Sequence, residues 1–103
     1  MVTKNIAPEK LSKSDKRVIH ILQVLGDTSR YKMFKILLEK KQLCVSEIAD
    51  KLNISVPAVS QHFRTFELVG IVEKERMGQK ICYQLKNNDE LIRQLVKIAN
   101  KSK

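Results

Sequence analysis

The sequence has only three glycines and two prolines, so few positions force the backbone out of regular structure. That scarcity argues against a loop-rich chain and for an ordered, mainly helical one. Two cysteines, Cys44 and Cys82, are too few for a disulfide framework. No apolar run approaches the roughly 20 residues that span a bilayer, and residues 1–10 lack the continuous apolar core of a secretion signal. Acidic residues are also in short supply: 11 Asp and Glu stand against 20 Lys and Arg, giving a net charge of +9. These shortages lead to the expectation of a cytoplasmic protein with reduced thiols, no membrane association and an anionic partner. Nucleic acid is the first candidate for that partner. A lysine-rich protein that binds nothing anionic has the same charge balance, so charge alone does not decide.

The 103 residues suit one small domain with a modest core, to which dimerisation would add apolar burial. Residues 1–10 are polar, contain Pro8 and show no period, and read as a flexible N-terminal tail; residues 11–103 carry the domain. Within it, Cys44 to Gly70 reads as a helix-turn-helix. Ile48, Ala49 and Leu52 share one side of a helical period, Asn53-Ile54-Ser55 makes a tight connection, and Val59, Phe63 and Phe66 form the next apolar stripe. Asn is among the few residues that enter left-handed backbone at modest cost. The stripe must be buried, which turns Pro57, Gln61 and Arg64 outward.

An earlier helix runs from Ser12 or Ser14 to Leu25, with Val18, Ile21, Leu22 and Leu25 on one face and Ile19 and Val24 as apolar surplus. Gly26-Asp27 ends it, and Asp27 or Thr28 caps a basic helix over about Ser29–Lys40, with Tyr31, Phe34, Leu37 and Leu38 inward. Ile71–Arg76 and Lys80–Leu85 read as strands joined at Met77-Gly78-Gln79, a wing directly after the second helix of the motif. A last helix runs from the Asn87-Asn88-Asp89 cap to about Asn100, with Leu91, Leu95 and Ile98 on one stripe and Ile92, Val96 and Ala99 beside it. The expected fold is mainly α with a small β-hairpin: a winged helix-turn-helix of about five helices plus a two-stranded wing. The first and last helices are more apolar than surface helices need to be, which points to a partner subunit.

Five segments in this order carry a family resemblance. Leu25-Gly26-Asp27-Thr28-Ser29-Arg30 resembles the LGDPTR signature of the ArsR/SmtB winged-helix repressors, and Leu43-Cys44-Val45-Ser46-Glu47 resembles their ELCVCEL segment. Ser55 to Phe63 resembles SQPTVSHHL, Val69-Gly70-Ile71-Val72 looks like AGLV, and Gly78 to Leu85 looks like the wing segment GRWVYYRL. The match covers about residues 18–100. It implies a homodimer formed through the first and last helices, which binds double-stranded DNA at a partly palindromic operator and represses transcription.

On that reading Gln61 is the candidate base reader, since its amide matches adenine N6 and N7. Val56, Pro57 and Ala58 would lie near the bases, with Val56 and Ala58 suited to thymine methyls. Ser60 would meet a base or a phosphate, and Arg64 a guanine or a phosphate. Lys74, Arg76 and Lys80 of the wing would reach the minor groove or backbone. Glu73 and Glu75 alternate with them, so the wing has little net charge. His62, beside the buried stripe, has a structural role.

Many members of the family release DNA on binding metal, through a Cys-x-Cys pair or through Asp and His followed by His and Glu in the last helix. Here the first pattern is Cys44-Val45-Ser46, and the last helix offers Asp89 and Glu90 without histidine. No metal and no cofactor are therefore expected. Cys44, at a helix N-terminus where thiol pKa falls, is a candidate redox residue with Cys82, or else a half-buried cap. An enzyme is not expected, for want of a nucleophile–base pair, a phosphate-binding loop or an acidic pair. The alternatives to a sequence-specific repressor are a constitutive or architectural DNA-binding protein, a thiol-based redox-responsive repressor, and an interaction module that keeps the fold without binding DNA.

Overall fold

The computed structural model describes residues 10–101; residues 1–9 of the expected tail and residues 102–103 lie outside it. The helices are α1 (Lys13–Leu25), α2 (Thr28–Glu39), α3 (Val45–Leu52), α4 (Val56–Leu68) and α5 (Glu90–Asn100). Three strands, β1 (Leu43–Cys44), β2 (Val72–Met77) and β3 (Lys80–Leu85), form one antiparallel sheet in the order β1-β3-β2. The wing is thus a three-stranded sheet, not an isolated hairpin. β1 escaped the sequence reading because two residues are too short to show a period.

Four of the five helices start where the side chain of the capping residue accepts a free backbone N–H. Ser12 accepts from Asp15, whose carboxylate in turn accepts from the Ser12 N–H, a reciprocal cap. Asp27, Ser55 and Asp89 accept from the N–H groups of Arg30, Ala58 and Ile92. α3 and α4 also end alike. At α3 the Ile54 N–H donates to the Ala49 carbonyl and the Asn53 N–H to Asp50, with Asn53 at φ 54°. At α4 Ile71 donates to Phe66 and Gly70 to Glu67, with Gly70 at φ 77°. Both are left-handed closures that satisfy terminal carbonyls. The expected left-handed turn at Asn53 is therefore present.

The core gathers Ile48 and Ala49 of α3 with Val59, Phe63 and Phe66 of α4, as the spacing predicted. Elsewhere the buried stripes are rotated from those expected. α1 buries Ile21 and Val24, while Val18, Ile19 and Leu22 are exposed. α2 buries Met33, Phe34 and Leu37, and Tyr31 lies at the surface. α5 buries Ile92 and Ala99 and leaves Ile98 63% exposed. Helices with apolar residues on two adjoining faces do not reveal from period alone which face meets the core.

Long cations join the elements. Arg30 Nε donates to the Val24 carbonyl at 2.6 Å and Lys35 Nζ to the Ala99 carbonyl at 2.9 Å, so two cations of α2 complete the C-terminal ends of α1 and α5. Arg17 pairs with Asp89 at 2.8 Å and also donates to the Val69 carbonyl. The Arg17 hydrogen bond holds the Asp89 carboxyl below its usual range. A depressed carboxyl stabilises the fold above the unfolded value near pH 4 and loses that contribution as pH falls through the folded one. Asp89→Asn keeps a capping side chain and removes the charge. It should cost about 0.5–1 kcal/mol at pH 7, and the difference from wild type in urea unfolding should vanish in acid.

Candidate nucleic-acid interface

Phe63 and Tyr83 stack with ring centroids 4.1 Å apart and planes within 8° of parallel, and Phe66 meets Phe63 edge-on at 6.3 Å. Val59, Phe63 and Phe66 are fully buried, so the opposite side of α4 is fixed outward. Pro57, Gln61 and Arg64 stand exposed on that side, and the stripe continues to Leu68, which is 83% exposed. Arg64 donates to the Gln61 side-chain oxygen at 3.4 Å, so these two polar groups already adjoin on the outer face. Val56 is exposed at the first helical position, whereas Ala58 and Ser60 are half-buried. His62 is half-buried too and acts electrostatically on the Asp27 carboxyl, which places it toward the α1–α2 junction.

The register of the wing sorts its charges. Lys74 lies opposite Tyr83 and Arg76 opposite Ile81, while Glu73, Glu75 and Met77 lie opposite Gln84, Cys82 and Lys80. Side chains alternate between faces along a strand. Lys74 and Arg76 thus share the face that carries buried Val72, Tyr83 and Leu85, and Glu73, Glu75 and Lys80 share the other. The wing has little net charge, but its faces differ: two cations on one, two carboxylates and one cation on the other. Gly78, at φ 65° with open space around it, makes the two-residue turn.

Between the start of α4 and the wing turn is an open cleft of about 300 Å³ lined by Cys44, Val45, Ser46, Val56, Ser60, Gln79, Lys80 and Ile81. It brings together Val56, Ser60 and Lys80, singled out separately in the sequence. Ser46 and Gln79 are additions. The sequence marks them only as a missing metal ligand and a turn residue, and their common location becomes visible only once β1 pairs with β3.

A helix whose exposed polar stripe is rigidly backed by an aromatic stack, beside a sheet with a cationic face, is the architecture of a winged DNA reader. Comparison with known proteins gives the family. A model described as bacterial regulatory protein, arsR family, matches residues 27–74. The cadmium resistance transcriptional regulatory protein CadC of Listeria innocua is 31% identical over 84 residues, which cover 81% of this chain and 71% of that one. The chain belongs to the arsR family. Among solved structures, HlyU from Vibrio cholerae superposes with a TM-score of 0.78 at 21% identity, covering 88% of this chain and 96% of that one. The homodimeric winged helix-turn-helix domain of Mb0332 from Mycobacterium bovis does so at 0.76 and 17% identity, covering 97% and 89%. The arsR-family assignment makes this chain a DNA-binding transcriptional regulator, and its fold is the winged helix-turn-helix expected from the sequence.

The donor groups of this arsR-family chain do not fit a metal ion. Cys44 is bonded to Cys82, so the expectation of reduced thiols is corrected. The two face each other in the β1–β3 register, a juxtaposition that spacing along the chain cannot show. Asp89 is committed to capping α5 and to Arg17. Among the described residues no three His, Cys, Asp or Glu side chains gather.

The turn that sets the angle between α3 and α4 gives a direct test. Asn53→Gly should leave stability within a few tenths of a kcal/mol of wild type, while Asn53→Val, β-branched at positive φ, should cost about 1–3 kcal/mol in urea unfolding.

Proposed function

We propose that this arsR-family regulator is a cytoplasmic, homodimeric, sequence-specific repressor of a partly palindromic operator, and not an enzyme. The observation that carries the reading is the exposed stripe Pro57–Gln61–Arg64 on a helix whose other side is locked by Phe63 against Tyr83. Gln61 reads an adenine edge, Val56 packs on a thymine methyl, and Arg64 meets a guanine or the backbone. Pro57 and Ala58 pack near the bases, Ala58 with only part of its surface available. Ser60 and Lys80 meet the duplex across the cleft they share. Lys74 and Arg76, on one face of the wing, contact phosphates.

The dimer forms through α1 and α5. Leu22 is 59% exposed and Ile98 63%, on the two helices that carry surplus apolar surface. A groove between these helices, lined by Val18, Leu91 and the stems of Arg17 and Gln94, offers a seat for a second copy. A twofold through such a seam sets two copies of α4 about 34 Å apart, one turn of DNA. The homodimeric state of the Mb0332 domain supports this arrangement.

A second reading, constitutive DNA binding without a ligand switch, is favoured by the unfitting metal donors. It predicts a low ratio of specific to non-specific affinity at fixed salt.

Gln61→Ala should weaken binding to a selected operator by about 1–3 kcal/mol while leaving random-duplex binding unchanged. Equal losses on both would remove Gln61 as a reader. Lys74→Ala combined with Arg76→Ala should weaken both kinds of binding and lower the salt slope by about 2. Leu22→Asp or Ile98→Asp should give a monomer in light scattering at micromolar concentration.

A further inference from the structure

The bond between Cys44 and Cys82 spans 38 residues, and the segment it closes contains α3, the Asn53 turn, α4, β2 and the Gly78 turn. Every residue assigned to DNA contact lies inside that loop. Of the two sulfurs' residues, Cys82 is fully buried, while Cys44 is half-buried and lines the open cleft between α4 and the wing turn. The Glu47 carboxylate accepts the Cys44 N–H at 3.0 Å, which fixes the start of α3 beside this sulfur. The β1–β3 pairing has support besides the disulfide: Leu43 is fully buried and lies opposite buried Tyr83, itself stacked on Phe63. The fold thus has its own means of holding the wing base, and the disulfide adds a constraint that can be lost without dismantling the core.

We propose that Cys44 and Cys82 form a reversible dithiol–disulfide site, oxidised by peroxides, that sets DNA affinity by tying the wing to the start of the helix-turn-helix. The proposal rests on the DNA-reading function above and adds the control of that surface. A protein that works on DNA in a reducing compartment keeps a disulfide only transiently, which makes such a bond a sensing device rather than a permanent staple.

Exposure orders the chemistry. The Cys44 thiolate, reached through the cleft, attacks a peroxide oxygen; the O–O bond breaks, leaving Cys44 as a sulfenic acid and releasing water once the leaving oxygen is protonated. The buried Cys82 sulfur, already opposite, attacks Cys44 Sγ, forms the S–S bond and expels the sulfenic oxygen as a second water. Two thiols and one peroxide become one disulfide and two waters: the sulfurs lose two electrons and the peroxide gains them. A dithiol reductant reverses the bond by exchange. With the loop closed, Lys74, Arg76 and Lys80 are held in fixed relation to Gln61, so less conformational freedom is lost on binding DNA. The oxidised form is the tighter binder.

The test uses the full chain and a duplex obtained by binding-site selection. Thiol titration and hydrogen exchange of the wing amides follow the site without DNA, and fluorescence anisotropy follows affinity. Hydrogen peroxide should remove both thiols and dithiothreitol should restore them, with faster exchange in β2 and β3 of the reduced form. The oxidised form should bind the duplex about fivefold more tightly or better. Cys44→Ser and Cys82→Ala should each bind like reduced wild type and ignore peroxide; two variants are used because Cys82 lies in the core. Failure of peroxide to pair the thiols, equal affinities, tighter binding by the reduced form, or a response that survives in both variants would overturn the proposal. If the thiols pair reversibly but neither form prefers any duplex, the operator-reading function falls and the affinity proposal with it. Specific binding that is alike in both forms sinks only the redox proposal.

Discussion

The parallel contact of Phe63 with Tyr83 is the constraint on which the interface depends. It joins the centre of α4 to the central strand of the sheet, and it does so at zero exposure for Phe63. A helix buried through Val59, Phe63 and Phe66 has no freedom to rotate about its axis, since rotation would bring polar Gln61 inward and open voids behind the rings. The same contact sets the height of the wing relative to the helix. Burial around the ring also pushes the Tyr83 phenol above its ordinary value.

Much of this was legible in the sequence where a single periodicity prevailed. α3 and α4 each present one apolar stripe and one polar one, and their buried and exposed residues came out as the spacing required. Asn53 marks a left-handed position, and Asp89 a helix start, by residue chemistry alone. α1, α2 and α5 were found as helices but with their inward faces displaced by one or two residues. On those helices the apolar surface serves more than one neighbour, so the period locates a helix without orienting it. The basic character of α2 was equally visible, yet its use was not. Arg30 and Lys35 turn to carbonyls at the ends of other helices, partners separated from them by 6 and 64 residues.

The least legible part was the pairing of β1 with β3. A two-residue strand leaves no pattern, and only its register places Cys44 opposite Cys82 and turns the alternation of acid and base in the wing into two faces of different charge. The candidate contact residues divide accordingly. Pro57, Gln61 and Arg64 followed from helical geometry, and Val56, Ala58 and Ser60 from the family resemblance; those on the wing needed the sheet before Lys74 and Arg76 could be separated from Lys80.

Arg17 has a bearing on how such a molecule transmits force. Its guanidinium touches Asp89, the cap of α5, and the Val69 carbonyl that follows α4 at once, and the backbone at Gly70 passes so close that a Cβ there would meet its Nη2 at 3.1 Å. α1, α5 and the C-terminal end of α4 therefore meet at one charged group. A displacement of either terminal helix would bear on α4 through Arg17, at the end of that helix remote from Val56 and Pro57.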